Sequence, residues 1–155
     1  FTARQREIYE VVLEAQNAAI AAAKPGMKLL GTGEDSLNGI AKAQVAKHGL
    51  EQYYLHALGH HVGLEVHDPA DPDLTLKPGM VFTIEPGVYI ADEKIGVRIE
   101  DVVVVTATGC EVVSAGVPKD RASIVALWRE EGVLDRMSTS QLRQATSPSD
   151  ADGGR

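Results

Sequence analysis

The segment Gly96-Val97-Arg98-Ile99-Glu100-Asp101-Val102-Val103-Val104-Val105 constrains the fold more than any other stretch of this chain. Four consecutive valines predict a strand buried on both sides rather than a half-wet edge. Side chains alternate along a strand, so Arg98 and Glu100 share one face while Val97 and Ile99 share the other. A glutamate leading into such a strand is costly to bury unless it is paired or coordinates a cation. Two readings follow for Glu100: a salt-bridged partner of Arg98, a kind of pair that rarely improves stability, or a metal ligand. Asp101 is a rival ligand by residue type. Strict alternation sets it on the opposite face, and a single bulge would reverse that.

A second carboxylate sits in a comparable place. In Val81-Phe82-Thr83-Ile84-Glu85-Pro86-Gly87, alternation puts Val81, Thr83 and Glu85 on one face and Phe82 and Ile84 on the other. Pro86 biases Glu85 towards an extended backbone and limits further pairing. Glu85 is thus either a solvated strand end or a group projecting into a cleft. The imidazoles supply the third signal. Four of the five histidines, His56, His60, His61 and His67, fall within twelve residues, interleaved with Gly59 and Gly63. Glycines permit close backbone approach, and clustered imidazoles point to a site. No His-Glu-x-x-His helix and no Gly-x-Ser-x-Gly elbow is present. One imidazole with carboxylates is a hard, oxygen-rich set that suits Mn²⁺, Co²⁺, Fe²⁺ or Zn²⁺ better than a thiolate-selected metal. Carboxylates bridging two ions about 3.5–4 Å apart would make a two-metal hydrolase with water as the nucleophile.

Around these motifs the chain reads as helices first and strands afterwards. Ile8, Val11, Val12, Ala15, Ala19 and Ala22 form one face of a helix over Arg4 to Lys24, capped near Thr2 and ended by Lys24-Pro25-Gly26. A second helix is predicted from Ser36 to Lys47, with Leu37, Ile40, Ala41, Gln44 and Val45 inward and Gly49 as its stop. Extended segments follow at Met80 to Ile84, Val88 to Ile90, Gly96 to Val105 and Glu111 to Val113, and then a short helix from Arg121 to Trp128. The order predicts an α+β fold with an antiparallel sheet. Its boundaries are drawn at 1–131 for the folded domain and 132–155 for a disordered tail rich in Ser, Gln, Asp and Gly.

Composition narrows the function classes. A net charge of -7 without any Lys/Arg cluster argues against nucleic acid. No apolar stretch is long enough to span a bilayer, and Phe1 to Arg6 has no secretory-signal pattern. One cysteine, Cys110, excludes an internal disulfide framework, reads as structural, and suits a reducing compartment, so a cytoplasmic location is expected.

Taken together, three runs resemble a known family: His56-Ala-Leu-Gly-His60-His-Val-Gly-Leu-Glu-Val-His67-Asp68, Lys77-Pro-Gly-Met-Val-Phe-Thr-Ile-Glu85-Pro-Gly-Val-Tyr89, and Gly96-Val-Arg98-Ile-Glu100-Asp101. They are similar to the Xaa-Pro aminopeptidases and prolidases, which are pita-bread metallopeptidases. The likeness starts at Phe1-Thr2 and Gln5-Arg6-Glu7-Ile8-Tyr9 and extends to Val117-Pro118-Lys119-Asp120 and the helix after it. Glu-Pro-Gly-Val-Tyr and Val-His-Asp look more like the proline-directed members than like methionine aminopeptidases. Creatinase shares the fold and works without metal, and retention of the histidine and both glutamates favours the metal-dependent branch.

The resemblance implies a pita-bread fold, an antiparallel sheet flanked by helices. It implies that His60, Glu85 and Glu100 are metal ligands, Glu100 bridging two divalent ions in the complete enzyme. Manganese is first among the candidates, with cobalt, zinc and iron as alternatives. His56 and His67 would line the substrate site and steady the scissile carbonyl and the transition state. Arg98 would sit beside the metals, and Glu85 also fits a general acid/base role. The implied substrate is a peptide with proline at its second position, and the implied complete enzyme can form homo-oligomers. The family uses five ligands, and its two aspartates and a further active-site histidine fall upstream of the Phe-Thr segment. Asp35, Asp68, Asp71, Asp73, Asp92 and Asp101 do not occupy matching positions. The chain is therefore expected to be the C-terminal half of a catalytic domain. Two other functions stay open: a prolidase-type dipeptidase, and a catalytically inactive domain that binds a partner or peptide.

Overall fold

Thr2 opens the first helix with a reciprocal cap. Its hydroxyl accepts the Gln5 N–H at 3.2 Å, and Gln5 Oε1 accepts the Thr2 N–H at 2.8 Å. Helix α1 then runs over Ala3–Ala22 in the computed structural model, which describes residues 1–132. The expected tail over 132–155 lies, apart from Gly132, outside the described residues. The expected stripe of α1 is buried from Ile8 to Ala19, joined by Tyr9 and Gln16, while Ala22 is only partly covered. Ser36 caps α2 (Leu37–Ala46) by accepting the Gly39 N–H at 3.0 Å, and Leu37, Ala41 and Val45 face inward. Gly49, at φ 68°, takes the left-handed conformation that turns the chain away. The two helices pack on each other, and α1 also packs on three of the strands, β1, β2 and β3.

The strands are β1 (Val81–Ile84), β2 (Gly87–Ile90), β3 (Ile95–Arg98), β4 (Asp101–Val105) and β5 (Cys110–Val112). All pairings are antiparallel, β1-β4-β5 in one sheet and β2-β3 in another. Val81 faces Val104 and Gly87 faces Arg98, so both ladders keep one offset along a single long hairpin. Between them the pairing lapses, with Glu85 and Pro86 on one arm opposite Ile99 and Glu100 on the other. This corrects the expectation of one continuous strand from Gly96 to Val105. Pro86 has no N–H to donate, so the gap is imposed by the opposite arm.

A second correction concerns the valine run. Asp101, Val103 and Val105 are buried, whereas Val102 and Val104 are partly exposed. Alternation, with one well-covered face, replaces the expected burial on both sides. Cys110 begins β5, with Sγ 3.5 Å from Ile20 O.

The core gathers Ile8, Val12, Leu58, Phe82, Ile84, Val88 and Val103, each with no exposed surface. Burying a side chain of this kind contributes about 1.5–3 kcal/mol. The histidine-rich segment lies along the free side of β1. The Val62 N–H donates to Val81 O at 3.0 Å, Thr83 to His60 O at 2.9 Å, and Glu85 to Leu58 O at 2.7 Å. Gly59 makes this approach possible, since a Cβ there would stand 2.0 Å from Thr83 O. These elements belong to one compact unit, Phe1–Val117. A second unit starts at Pro118 and contains α3 (Arg121–Leu127), whose N-cap Asp120 accepts the Ser123 N–H at 2.9 Å.

Candidate metal centre

Glu85 follows the last residue of β1, where Pro86 keeps the backbone extended and the ladder stops. Its side chain is only 12% exposed. Thr83, two residues back on the same face, donates its hydroxyl to Glu85 Oε1 at 2.9 Å and accepts the His60 N–H at 3.0 Å. One threonine therefore ties the carboxylate to the histidine segment. Arg98 Nε stands 3.8 Å from Glu85 Oε2. The ion pair that Arg98 makes is thus with Glu85, which replaces the expected alternative of a pair with Glu100.

His60 Nδ1 lies 3.0 Å from His61 O. A carbonyl only accepts, so Nδ1 carries a proton, and a ring with that tautomer presents its lone pair at Nε2. That lone pair faces Glu85 Oε1 at 3.3 Å. Two acceptors at this distance need a proton or a cation between them. Outer-shell fixing of one ring nitrogen by a carbonyl is how metal-binding histidines are commonly held.

Glu100 precedes β4 and stands opposite Glu85 when the ladder offset is continued across the gap. It is exposed and makes no side-chain hydrogen bond or ion pair among the described residues. One donor atom from each of His60, Glu85 and Glu100 lies within 4.8 Å of the other two. Donors about 2.0–2.2 Å from one ion are at most roughly 4.4 Å apart, so a small movement of the exposed Glu100 closes the set. The three residues fit a divalent cation. Asp101 is not part of this set: it is buried on the other face and accepts the Ser114 hydroxyl at 2.6 Å.

The other expected site residues take different places. The His67 ring lies on that of His60, centroids 4.0 Å apart, and is exposed. His56 has both ring nitrogens engaged, Nδ1 on Ala57 O at 2.7 Å and Nε2 on the Tyr89 hydroxyl at 2.9 Å. The pair sits over Gly87, where a Cβ would come within 2.8 Å of both residues. Tyr54 stacks on His56, and its phenol is pushed up by burial and then by the charge of Glu85. His61 packs against Phe82, and burial lowers its imidazole below the ordinary value. A cavity of about 110 Å³ adjoins His60, lined among others by Leu29, His61, Pro72 and Leu74. Thr83, Tyr54, Tyr89 and Gln16 were not singled out from sequence. Thr83 alone carried a signal, its shared face with Glu85.

Known proteins resemble this chain throughout the region just described. The model of metallopeptidase family M24 matches residues 1–107. An Xaa-Pro dipeptidase of Pyrococcus furiosus is 48% identical over 112 residues, covering 70% of this chain and 30% of that protein. An Xaa-Pro aminopeptidase of Haemophilus influenzae is 38% identical over 149 residues, covering 80% and 35%. The solved aminopeptidase P from E. coli, in complex with the inhibitor Pro-Leu, superposes with a TM-score of 0.69 at 34% identity, covering 82% of this chain and 35% of that one. These neighbours share the expected α+β pita-bread architecture. The chain spans about a third of the length of the relatives it matches. Among the described residues no helix is long and apolar enough to cross a membrane.

Proposed function

This chain belongs to metallopeptidase family M24, and on that premise we propose that it supplies His60, Glu85 and Glu100 to the metal centre of an exopeptidase that releases the residue before proline. Divalent ions are the cofactors such a family uses, and manganese is our first candidate. The observation that carries the reading is the convergence of one imidazole and two carboxylates within 4.8 Å on otherwise separate segments. A divalent cation there would polarise the scissile carbonyl and make water a competent nucleophile near neutral pH.

The residues of the chain have separable tasks. Glu85, held by Thr83, is aimed at the site and is suited to accept a proton from the attacking water and return it to the leaving amine. Arg98, 52% exposed beside it, keeps N–H groups available for a peptide oxygen. His67, exposed next to His60, and His56, oriented by Tyr89, are placed to steady the scissile carbonyl. The substrate is a peptide with proline second, and the setting is a reducing cytoplasm.

The test is hydrolysis of Xaa-Pro peptides by the full chain after exhaustive chelation and after reloading with Mn²⁺. Cleavage restored by the metal supports the reading, and equal cleavage without metal overturns it. A second reading, an Xaa-Pro dipeptidase, is favoured by the higher identity to the Pyrococcus protein. Cleavage of Xaa-Pro dipeptides but not of longer Xaa-Pro peptides would select it. Metal binding with no cleavage of either would leave an inactive binding domain.

A further inference from the structure

Where the two ladders meet, the Ile99 N–H reaches Pro86 O at 3.4 Å. In an antiparallel pair the residue opposite returns a second bond, and Pro86 has no N–H with which to do so. The missing donor comes from α1. Gln16, with no exposed surface, sends Nε2 to Ile99 O at 3.0 Å and to Ile84 O at 3.2 Å. Carbonyls only accept, so the amide has one orientation, with its NH₂ towards the strands. Its Oε1 is left without a hydrogen-bond partner among the described residues. A buried orphan acceptor is costly, and the fold carries that cost alongside the two bonds Nε2 makes. Ile84 and Ile99 are the residues immediately before Glu85 and Glu100.

We propose that Gln16 is a positioning residue of the metal centre: it replaces the N–H that Pro86 lacks and holds the backbones of Glu85 and Glu100 opposite each other. The inference rests on the reading of those two glutamates as ligands. It bears most on Glu100, whose exposed side chain has no anchor among the described residues, so that its place is set by its backbone.

The experiment titrates Mn²⁺ into the full chain by calorimetry and by Mn²⁺ electron paramagnetic resonance. It compares the unaltered protein with Q16M, Q16M/P86A and E85Q. Methionine keeps the length of glutamine and removes its donors. Q16M is expected to weaken Mn²⁺ binding about 10–100-fold, as loss of an outer-shell partner does. Thermal stability without metal should change little, since the orphan Oε1 leaves as the Ile99 carbonyl loses its donor, one unpaired acceptor replacing another. P86A returns a backbone N–H to the gap and should recover much of the affinity in the Q16M background, which a role in packing alone would not allow. Binding by Q16M within about twofold of the unaltered chain, while E85Q loses it, overturns the inference and leaves the ligand reading standing. Undiminished binding by E85Q overturns the ligand reading and this inference with it. Should Q16M fail to fold, nuclear magnetic resonance of the unaltered chain decides. Couplings across the hydrogen bonds from Gln16 Nε2 to the Ile84 and Ile99 carbonyl carbons support the inference, and their absence overturns it.

Discussion

Glu85 and Glu100 stand opposite each other in one register, yet they reach the site by different means. Glu85 arrives with its side chain already held, by the Thr83 hydroxyl at 2.9 Å and by Arg98. Glu100 is exposed and unheld among the described residues, and its backbone fixes where its side chain starts. One carboxylate is therefore organised before any cation binds, and the other is organised by the cation. Rigid support of ligands lowers the cost of assembling a site, so the β1 arm carries more of the preorganisation than the β4 arm.

The largest expected effects test whether that contrast exists. E85A and E100A should each weaken Mn²⁺ binding more than about 100-fold, beyond the range seen for outer-shell changes, as read by calorimetric titration. Without metal the two should part. E85A strips partners from Thr83 and should cost about 1–3 kcal/mol in urea unfolding. E100A should stay within about 0.5 kcal/mol, as exposed substitutions do. Equal losses in metal-free protein would erase the contrast.

T83V sharpens it. Valine keeps the shape but leaves the His60 N–H and Glu85 Oε1 without the hydroxyl. Stability should fall by about 1–3 kcal/mol, and Mn²⁺ affinity by about 10–100-fold. A T83V protein as tight and as stable as the original would show that Glu85 is not held from β1.

The smallest effect belongs to a third carboxylate, which is held but lies at the surface. Arg4 grips Glu93 with Nε and Nη2, each at 2.8 Å, and draws its carboxyl below the ordinary value. A carboxyl whose folded value is depressed stabilises fully above its unfolded value and loses that contribution as pH falls through the folded one. The R4A variant should therefore lose a small amount of stability at neutral pH, less still in high salt, and that loss should vanish as pH falls through the folded value of Glu93, which makes the acid limb shallower. A large neutral-pH loss would mean that holding a surface carboxylate matters as much as holding one in the cleft.

Much of this was legible in the sequence because it depends on spacing. The α1 stripe, its cap at Thr2 and the shared face of Thr83 and Glu85 follow from periodicity and residue type. The convergence of His60, Glu85 and Glu100 was legible through the family motifs. What stayed hidden depends on a second segment. The gap in the run from Gly96 to Val105 is caused by Pro86, ten residues before it on the facing arm. Arg98 turned to Glu85 rather than Glu100 because the two ladders bring position 98 near the end of β1. Burial on one face of the valine run reflects which side the rest of the fold covers, and a run of four identical side chains holds no record of that. Gln16 escaped notice because a polar residue in an apolar stripe reads as an interruption, although here it is the donor that the sheet lacks.

The offset shared by the two ladders has a consequence for heritable variation. The hairpin tip, Ala91 to Lys94, turns through a left-handed Lys94 and is exposed, so its composition is free to drift. Its length is not equally free. Were one arm to slip by a single residue, every side chain on it would turn to the opposite face, Glu100 would leave the cleft, and the buried Asp101 would swing out in its place. Insertions at the tip survive only when the turn absorbs them whole. Lineages of this hairpin should therefore vary in loop size while the count of residues from Pro86 back to Val81, and from Ile99 on to Val104, stays fixed.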